Sequence, residues 1–272
     1  MNTPAMTARQ RQLTWARARG IVPDAKGYVD SLGQNLFVPL SDETRKQFSG
    51  GGGGELDYKM RALHSSSALA VNVFEYWRVS LRRSALASAI GTPCTIDVID
   101  FEHKFPTGLP GEPPNLDVVL TLADRSIVAV ETKFLEPYHA HTPGLKAKYF
   151  GVEPGRWERY GYAYCEALAS QLTAGGATFR WLHAEQLLKH ILGLAKDGAE
   201  TLNSWELLYL WYEVPGPVAN RHRAETDEFA RLTAADGIAF RSMTYQDLYA
   251  AMRLLAGVED EPYIAYLGDR YF

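Results

Sequence analysis

Segment 115–133 constrains this chain more than any other. Asn115-Leu116-Asp117-Val118-Val119-Leu120-Thr121-Leu122 and Ser126-Ile127-Val128-Ala129-Val130-Glu131-Thr132-Lys133 are two apolar runs separated by Ala123-Asp124-Arg125. Both runs are rich in β-branched residues, which predicts two strands joined as a hairpin. The first run opens on an acid and the second closes on Glu-Thr-Lys. Charge at the end of an apolar hairpin is costly to bury unless it is paired or put to use.

The length of the turn decides what those charges can do. Residues i and i+2 of a strand share a face, so Glu131 and Lys133 point one way and Thr132 the other. Directly opposed residues of antiparallel strands also share a face. A three-residue loop pairs Leu122 with Ser126 and sets Asp117 opposite Glu131. A two-residue loop pairs Asp117 with Thr132, on the wrong face, so a shared site requires the odd loop or a bulge. With that register, Asp117 and Glu131 offer side-chain oxygens to Mg²⁺ or Mn²⁺, and the Thr132 main-chain carbonyl lies close by. Such an ion takes six oxygen ligands and keeps several waters. Lys133 stands where it can orient a bound water or neutralise charge building on a phosphate. This set suits in-line hydrolysis of a phosphodiester.

An acid two residues before a lysine is common. The chain has Asp24-Ala25-Lys26, Asp57-Tyr58-Lys59, Glu102-His103-Lys104 and Glu131-Thr132-Lys133. The first lies in a loop and the second opens a helix, so neither has a strand partner. Glu102-His103-Lys104 competes, because it ends a strand containing Asp97 and Asp100. That strand alternates with polar residues and reads as half-exposed, where charge is cheap. Only Glu131-Thr132-Lys133 ends a run apolar on both faces and follows a strand with an acid at the matching end. The alternative for it is a strand-end salt bridge, worth at most about 1 kcal/mol if exposed.

Around the hairpin the pattern predicts a basic helix over 7–19, an irregular stretch over 20–49 and a long helix over 55–89. The helix has a buried stripe of Leu63, Ser66, Leu69, Ala70, Val73, Phe74 and Trp77. A strand over 94–105 precedes the hairpin. Helices over 157–173 and 184–197, a strand over 205–214, a helix over 222–235, a strand over 238–243 and a helix over 245–256 follow. The aromatic tail 261–272 reads as docked. Gly50 to Gly54 cannot hold one conformation cheaply and reads as a flexible connector. It is not a phosphate-binding loop, since no Gly-Lys-Ser/Thr follows. This order predicts an α/β, three-layer fold: a central mixed sheet flanked by helices, with an extra C-terminal strand and helix. Residues 1–54 form a basic helix and Gly-rich extension to the main domain, 55–272, within one globular unit.

Composition narrows the class. Two cysteines, Cys94 and Cys165, give neither a disulfide framework nor a metal-binding spacing. They are expected reduced, as in a cytoplasmic protein. The first 20 residues carry four arginines and no apolar core, so no secretory signal is read there. No apolar run approaches the ~20 residues of a membrane span. A net charge of −4 does not advertise a nucleic-acid binder, but basic clusters stand at Arg78, Arg82 and Arg83 and at Lys146, Lys148, Arg156 and Arg159. His139-Ala140-His141 could ligate zinc, yet no Cys or third His stands near it in sequence. With Lys146 and Lys148 it suits a phosphate backbone, or solvent. Tyr138, Tyr149 and Trp157 nearby suit stacking on unpaired bases, or packing in a docked loop.

Helix, three strands with an acid on the second and Glu-x-Lys on the third, helix, strand resembles the PD-(D/E)xK nuclease superfamily. Within it the chain is similar to restriction-endonuclease-like bacterial proteins. They carry a Leu-x-Ser-Ser helix before the strands, here Leu63-His64-Ser65-Ser66-Ser67, and a Gln-Leu-Leu-basic-His helix after them, here Gln186-Leu187-Leu188-Lys189-His190. The similarity spans roughly residues 55–250. Leu116 stands where the motif's proline would be. The resemblance implies an αβββαβ core with Asp117, Glu131 and Lys133 as catalytic residues, and Asp117, Glu131 and the Thr132 carbonyl on Mg²⁺ or Mn²⁺. It further implies a metal-near glutamate on the first helix, Glu55 in preference to Glu75, and a phosphate-contacting or metal-shell Gln186. The activity it implies is Mg²⁺-dependent hydrolysis of DNA by a cytoplasmic restriction or defence-type endonuclease, with a homodimer as a compatible assembly. The alternatives are a nuclease fold that only binds or assembles, and a metal-dependent phosphohydrolase of a small nucleotide.

Overall fold

The computed structural model describes residues 3–50, 54–56, 58–80, 82–176, 179–198, 202 and 204–272. Gly51 to Gly53, where a flexible connector is expected, and Asp57 of the second Asp-x-Lys string lie outside the described residues. Among the described residues one sheet of five strands forms, in the order β1 (Ile96–Lys104), β2 (Asn115–Leu122), β3 (Ile127–Lys133), β4 (Trp205–Trp211) and β5 (Phe240–Thr244). β1, β2 and β3 pair antiparallel, while β3–β4 and β4–β5 are parallel. The sheet is therefore mixed, with helices on both sides, as the element order predicts.

The parallel β3–β4 step needs a crossover, supplied by α5 (Ala163–Thr173) and α6 (Ala184–Gly198). α7 (Pro217–Ala235) connects β4 to β5, with Pro217 in its first turn after the Pro-Gly-Pro break. α8 (Tyr245–Leu255) follows β5, and Thr244 caps it by accepting from the Asp247 N–H. Every residue of β3 is buried, so both faces of this strand are covered.

The long helix expected over 55–89 does not form as one. A single 3-10 turn at Lys59–Arg61 precedes α3 (Ser66–Ser80), and α4 (Arg83–Ile90) follows. Serine explains the late start. Ser65 Oγ accepts from the Ala68 N–H at 3.2 Å, so the serine triplet caps the helix and does not lie in its middle. The helix expected from 157 likewise begins only at Ala163, after a 3-10 turn at Glu158–Tyr160.

Two further helices appear where no helix is read from the pattern. α2 (Asp42–Ser49) lies inside the irregular stretch, capped by Ser41. It covers the sheet edge: Gln47 Oε1 accepts from the Phe101 N–H of β1 at 3.0 Å. α9 (Glu261–Tyr271) carries the aromatic tail and packs against α1 (Pro4–Ala18). There the buried Arg270 donates to Gln12 and Asn35 and lies over the Trp15 ring. The N-terminal extension is thus fastened to the main body. No described helix is long and apolar enough to cross a membrane.

Candidate active site

Leu122 and Ser126 close a turn of three residues, Ala123-Asp124-Arg125, between β2 and β3. Leu122 N–H donates to the Ser126 carbonyl, Arg125 N–H donates back to Leu122, and Arg125 adopts φ +67°. This is the odd loop with a left-handed third residue. The pairing Val118↔Val130 and Leu120↔Val128 carries Asp117 opposite Glu131 when continued by one step.

The ladder itself stops at Val118↔Val130, and Asp117 fills the gap beyond. Its Oδ2 accepts from the Thr132 N–H at 2.7 Å and from Thr132 Oγ1 at 2.8 Å. The Asp117 carboxylate therefore bends across the splayed strands and does not simply stand beside Glu131. The N–H and C=O of one strand residue point to the same side, so the Thr132 carbonyl faces this gap too.

Glu131 is 1 % exposed and sits between two cations or potential cations. Its Oε1 accepts from Lys133 Nζ at 2.5 Å, and its Oε2 lies 3.0 Å from His190 Nε2 of α6. The His190 contact is poorly aligned, and both of its atoms are buried without a hydrogen-bond partner among the described residues. Burial works to raise the Glu131 pKa, but Lys133 and His190 outweigh it and hold the group down to about 2. Lys133 is buried as well. Desolvation works to lower its pKa, yet Glu131 and Asp117 keep it above the usual lysine range. Lys133 Nζ also donates to Gln186 Oε1 at 3.1 Å. Gln186 and His190 are four apart on α6, so one helix face holds both the lysine and the glutamate.

Asp117, half-buried, is raised well above the ordinary carboxylate range, first by desolvation and then by the Glu131 charge, with Lys133 opposing. A cation among these oxygens would relieve that. The donor set fits a magnesium-class ion: Glu131 Oε2 is buried with no aligned hydrogen-bond donor among the described residues, His190 standing 3.0 Å away, and the Asp117 carboxylate and Thr132 carbonyl share one gap. It is not a closed cage, since no three carboxylates here lie within 4.8 Å of one another. Mg²⁺, which keeps its waters, does not need one.

Two glutamates expected near the metal make other contacts. Glu55 opens no helix; it receives Lys59 Nζ at 3.1 Å and Ser67 Oγ at 2.8 Å, and no hydrogen bond or ion pair among the described residues joins it to Asp117, Glu131 or Lys133. Glu75 is fully buried and ties α2 to α3 by accepting from the Ser41 N–H and Thr44 Oγ1. Tyr138, Tyr149 and Trp157 are buried in the core, so they do not offer faces to unpaired bases.

Glu102 gains importance instead. Phe101↔Val118 and His103↔Leu116 flank it, so it stands opposite Asp117 on the outer strand. Glu102, Asp117 and Glu131 thus form a row across β1, β2 and β3. Glu102 adopts φ +52°, which is unfavourable for a side chain this size, and accepts from Asn115 Nδ2 at 2.6 Å. Burial raises its pKa against the Asn115 bond, with the Glu55 and Glu131 charges adding to the rise. Lys189 of α6, which feels the Glu131 charge, lines a cavity of about 290 Å³ together with Lys146, Lys148, Glu112 and Tyr149. Neither that cavity nor a larger one of about 570 Å³ between α1 and residues 20–27 is lined by Glu102, Asp117, Glu131 or Lys133.

A family model described as "Restriction Endonuclease associating with ARP" matches residues 7–272. No curated protein and no solved structure matches the chain.

Proposed function

The chain belongs to the family of restriction endonucleases associating with ARP, and from that premise we propose a metal-dependent nuclease of the PD-(D/E)xK type that hydrolyses DNA. Its centre is Asp117, Glu131 and Lys133. The observation that carries this reading is the odd hairpin turn, which sets both acids at the same end of adjacent strands with Lys133 between Glu131 and Gln186. Mg²⁺ or Mn²⁺ held by Asp117, Glu131 and the Thr132 carbonyl would neutralise phosphate charge and acidify a water.

The chain's own residues do the rest. Thr132 holds Asp117 at the gap, and His190 and Lys133 keep Glu131 ionised. Gln186 orients Lys133 toward the place where a phosphate oxygen gains charge. Lys146, Lys148 and Lys189 supply positive potential for a phosphate backbone nearby.

The test incubates the full chain with duplex DNA, single-stranded DNA and RNA, in Mg²⁺, Mn²⁺ or chelator. Fragments that need the metal support the proposal, and none with any substrate or metal would refute it. A second reading, binding without turnover, is favoured by one observation: Glu131 faces Lys133 and His190, and Asp117 Oδ2 is engaged by Thr132. Calorimetric titration with Mn²⁺ separates the two, since a scaffold shows no site that Asp117→Asn removes.

A further inference from the structure

We propose that His141, His183 and Glu185 form a second metal site, for one divalent ion of the zinc class. One ligand atom from each of the three lies within 4.8 Å of the others, and they are the only such group among the described residues. His141 Nε2 is 3.4 Å from Glu185 Oε2, and His183 Nδ1 is 3.5 Å from Glu185 Oε1. These separations are long for hydrogen bonds. Each imidazole nitrogen stands beside a different oxygen of the one carboxylate, so the three side chains converge at a spacing that a divalent ion, bound at about 2.1 Å, would draw closer. The two imidazoles stack with centroids 3.8 Å apart and planes 4° from parallel, and a shared ion would turn one ring so that both nitrogens point at it.

The frame is fixed without an ion. The His141 N–H donates to the Arg180 carbonyl at 2.9 Å. Glu225 accepts the N–H groups of Arg180, Trp181 and Leu182 at 3.0, 2.8 and 2.8 Å. The His183 carbonyl begins α6 by accepting from Gln186 and Leu187. His141 Nδ1 is buried with no hydrogen-bond partner among the described residues, so the edge facing Glu185 is the ring's polar engagement. Two imidazoles and a carboxylate suit zinc-class ions better than magnesium, which prefers an all-oxygen shell.

Such a site would clip the loop after β3 to the start of α6. That helix carries Gln186 and His190, so the clip would brace the candidate active site without belonging to it. Three protein ligands leave the fourth position to water.

The test uses the full chain stripped of metal by chelator and dialysed. Calorimetric titration with Zn²⁺ in excess Mg²⁺ should give one ion per chain, and thermal unfolding should shift upward with Zn²⁺. His183→Ala and Glu185→Gln should each weaken binding at least ten-fold, with their folding checked by far-UV circular dichroism. Asp269→Asn, at an exposed carboxylate of α9, should leave it unchanged. Absence of saturable zinc binding by the folded wild type would overturn the proposal, as would binding that His183→Ala and Glu185→Gln leave intact. Binding lost on Glu131→Ala and kept in His183→Ala would place the ion at the strand ends and overturn it too. Nuclease activity is not read, so the outcome is independent of the proposed function.

Discussion

Replacing Lys133 with methionine probes the balance of charges on which the site depends. Glu131 and Lys133 are 1 % and 9 % exposed, so neither is solvated by bulk water. Their contact and His190 move the Glu131 pKa from its ordinary 4.5 to about 2. At 1.36 kcal/mol per pKa unit, this is about 3 kcal/mol of stability at neutral pH, counted once for the cluster. Removing Lys133 leaves a buried carboxylate with only His190, and breaking such a pair costs about 3–5 kcal/mol. We expect Lys133→Met to lose about 3 kcal/mol in urea unfolding at pH 7. Adding Glu131→Gln should recover much of that, because the orphaned charge disappears. A depressed carboxylate pKa contributes stability above its unfolded value and loses it as pH falls through the folded value. The gap between wild type and Lys133→Met should therefore narrow as pH falls from about 4.5 toward 2. A single-substitution cost under about 1 kcal/mol, or a double variant as unstable as the sum of the singles, would refute the reasoning.

Three further outcomes follow from the same geometry. Glu102→Gln keeps the Asn115 contact but removes a charge that raises Asp117, so the Asp117 pKa should fall in a carboxyl NMR titration. Gln186→Ala removes a hydrogen bond from the charged Lys133 and should cost about 1.5–3 kcal/mol in denaturant unfolding while lowering any cleavage rate. Lys146→Ala combined with Lys148→Ala should weaken DNA binding across sequences and reduce the logarithmic salt slope by about 2 in a fluorescence titration.

The hairpin was legible because its logic is local. Strand parity and a three-residue turn suffice to place Asp117 against Glu131, and the structure carries that register. The bend of Asp117 onto Thr132 was not legible, since it depends on where β2 and β3 splay apart. Gln186 came from the resemblance, and its contact with Lys133 is a tertiary fact. His190 stood in the same quoted motif, four residues on, and helical spacing alone could have linked it to Gln186. Glu55 does not open the helix, because the serine triplet that spacing places in the helix interior is the helix start. Glu102 was weighed only as a rival lysine motif; its place opposite Asp117 needed the β1–β2 register. α2 was hidden by the prolines and glycines around it, although Ser41-Asp42-Glu43 is a capping sequence. His141 looked alone as a ligand because His183 lies 42 residues away and reaches it only through the docked loop.

The most direct test of the central claim is the rate of Mg²⁺-dependent DNA cleavage by Glu131→Ala beside the wild type, with both proteins shown to be folded. Loss of a group that acts on the reacting phosphate through a bound ion predicts a fall of at least about 100-fold. A variant that cuts as fast as the wild type would contradict the assignment of Asp117, Glu131 and Lys133 as the catalytic centre.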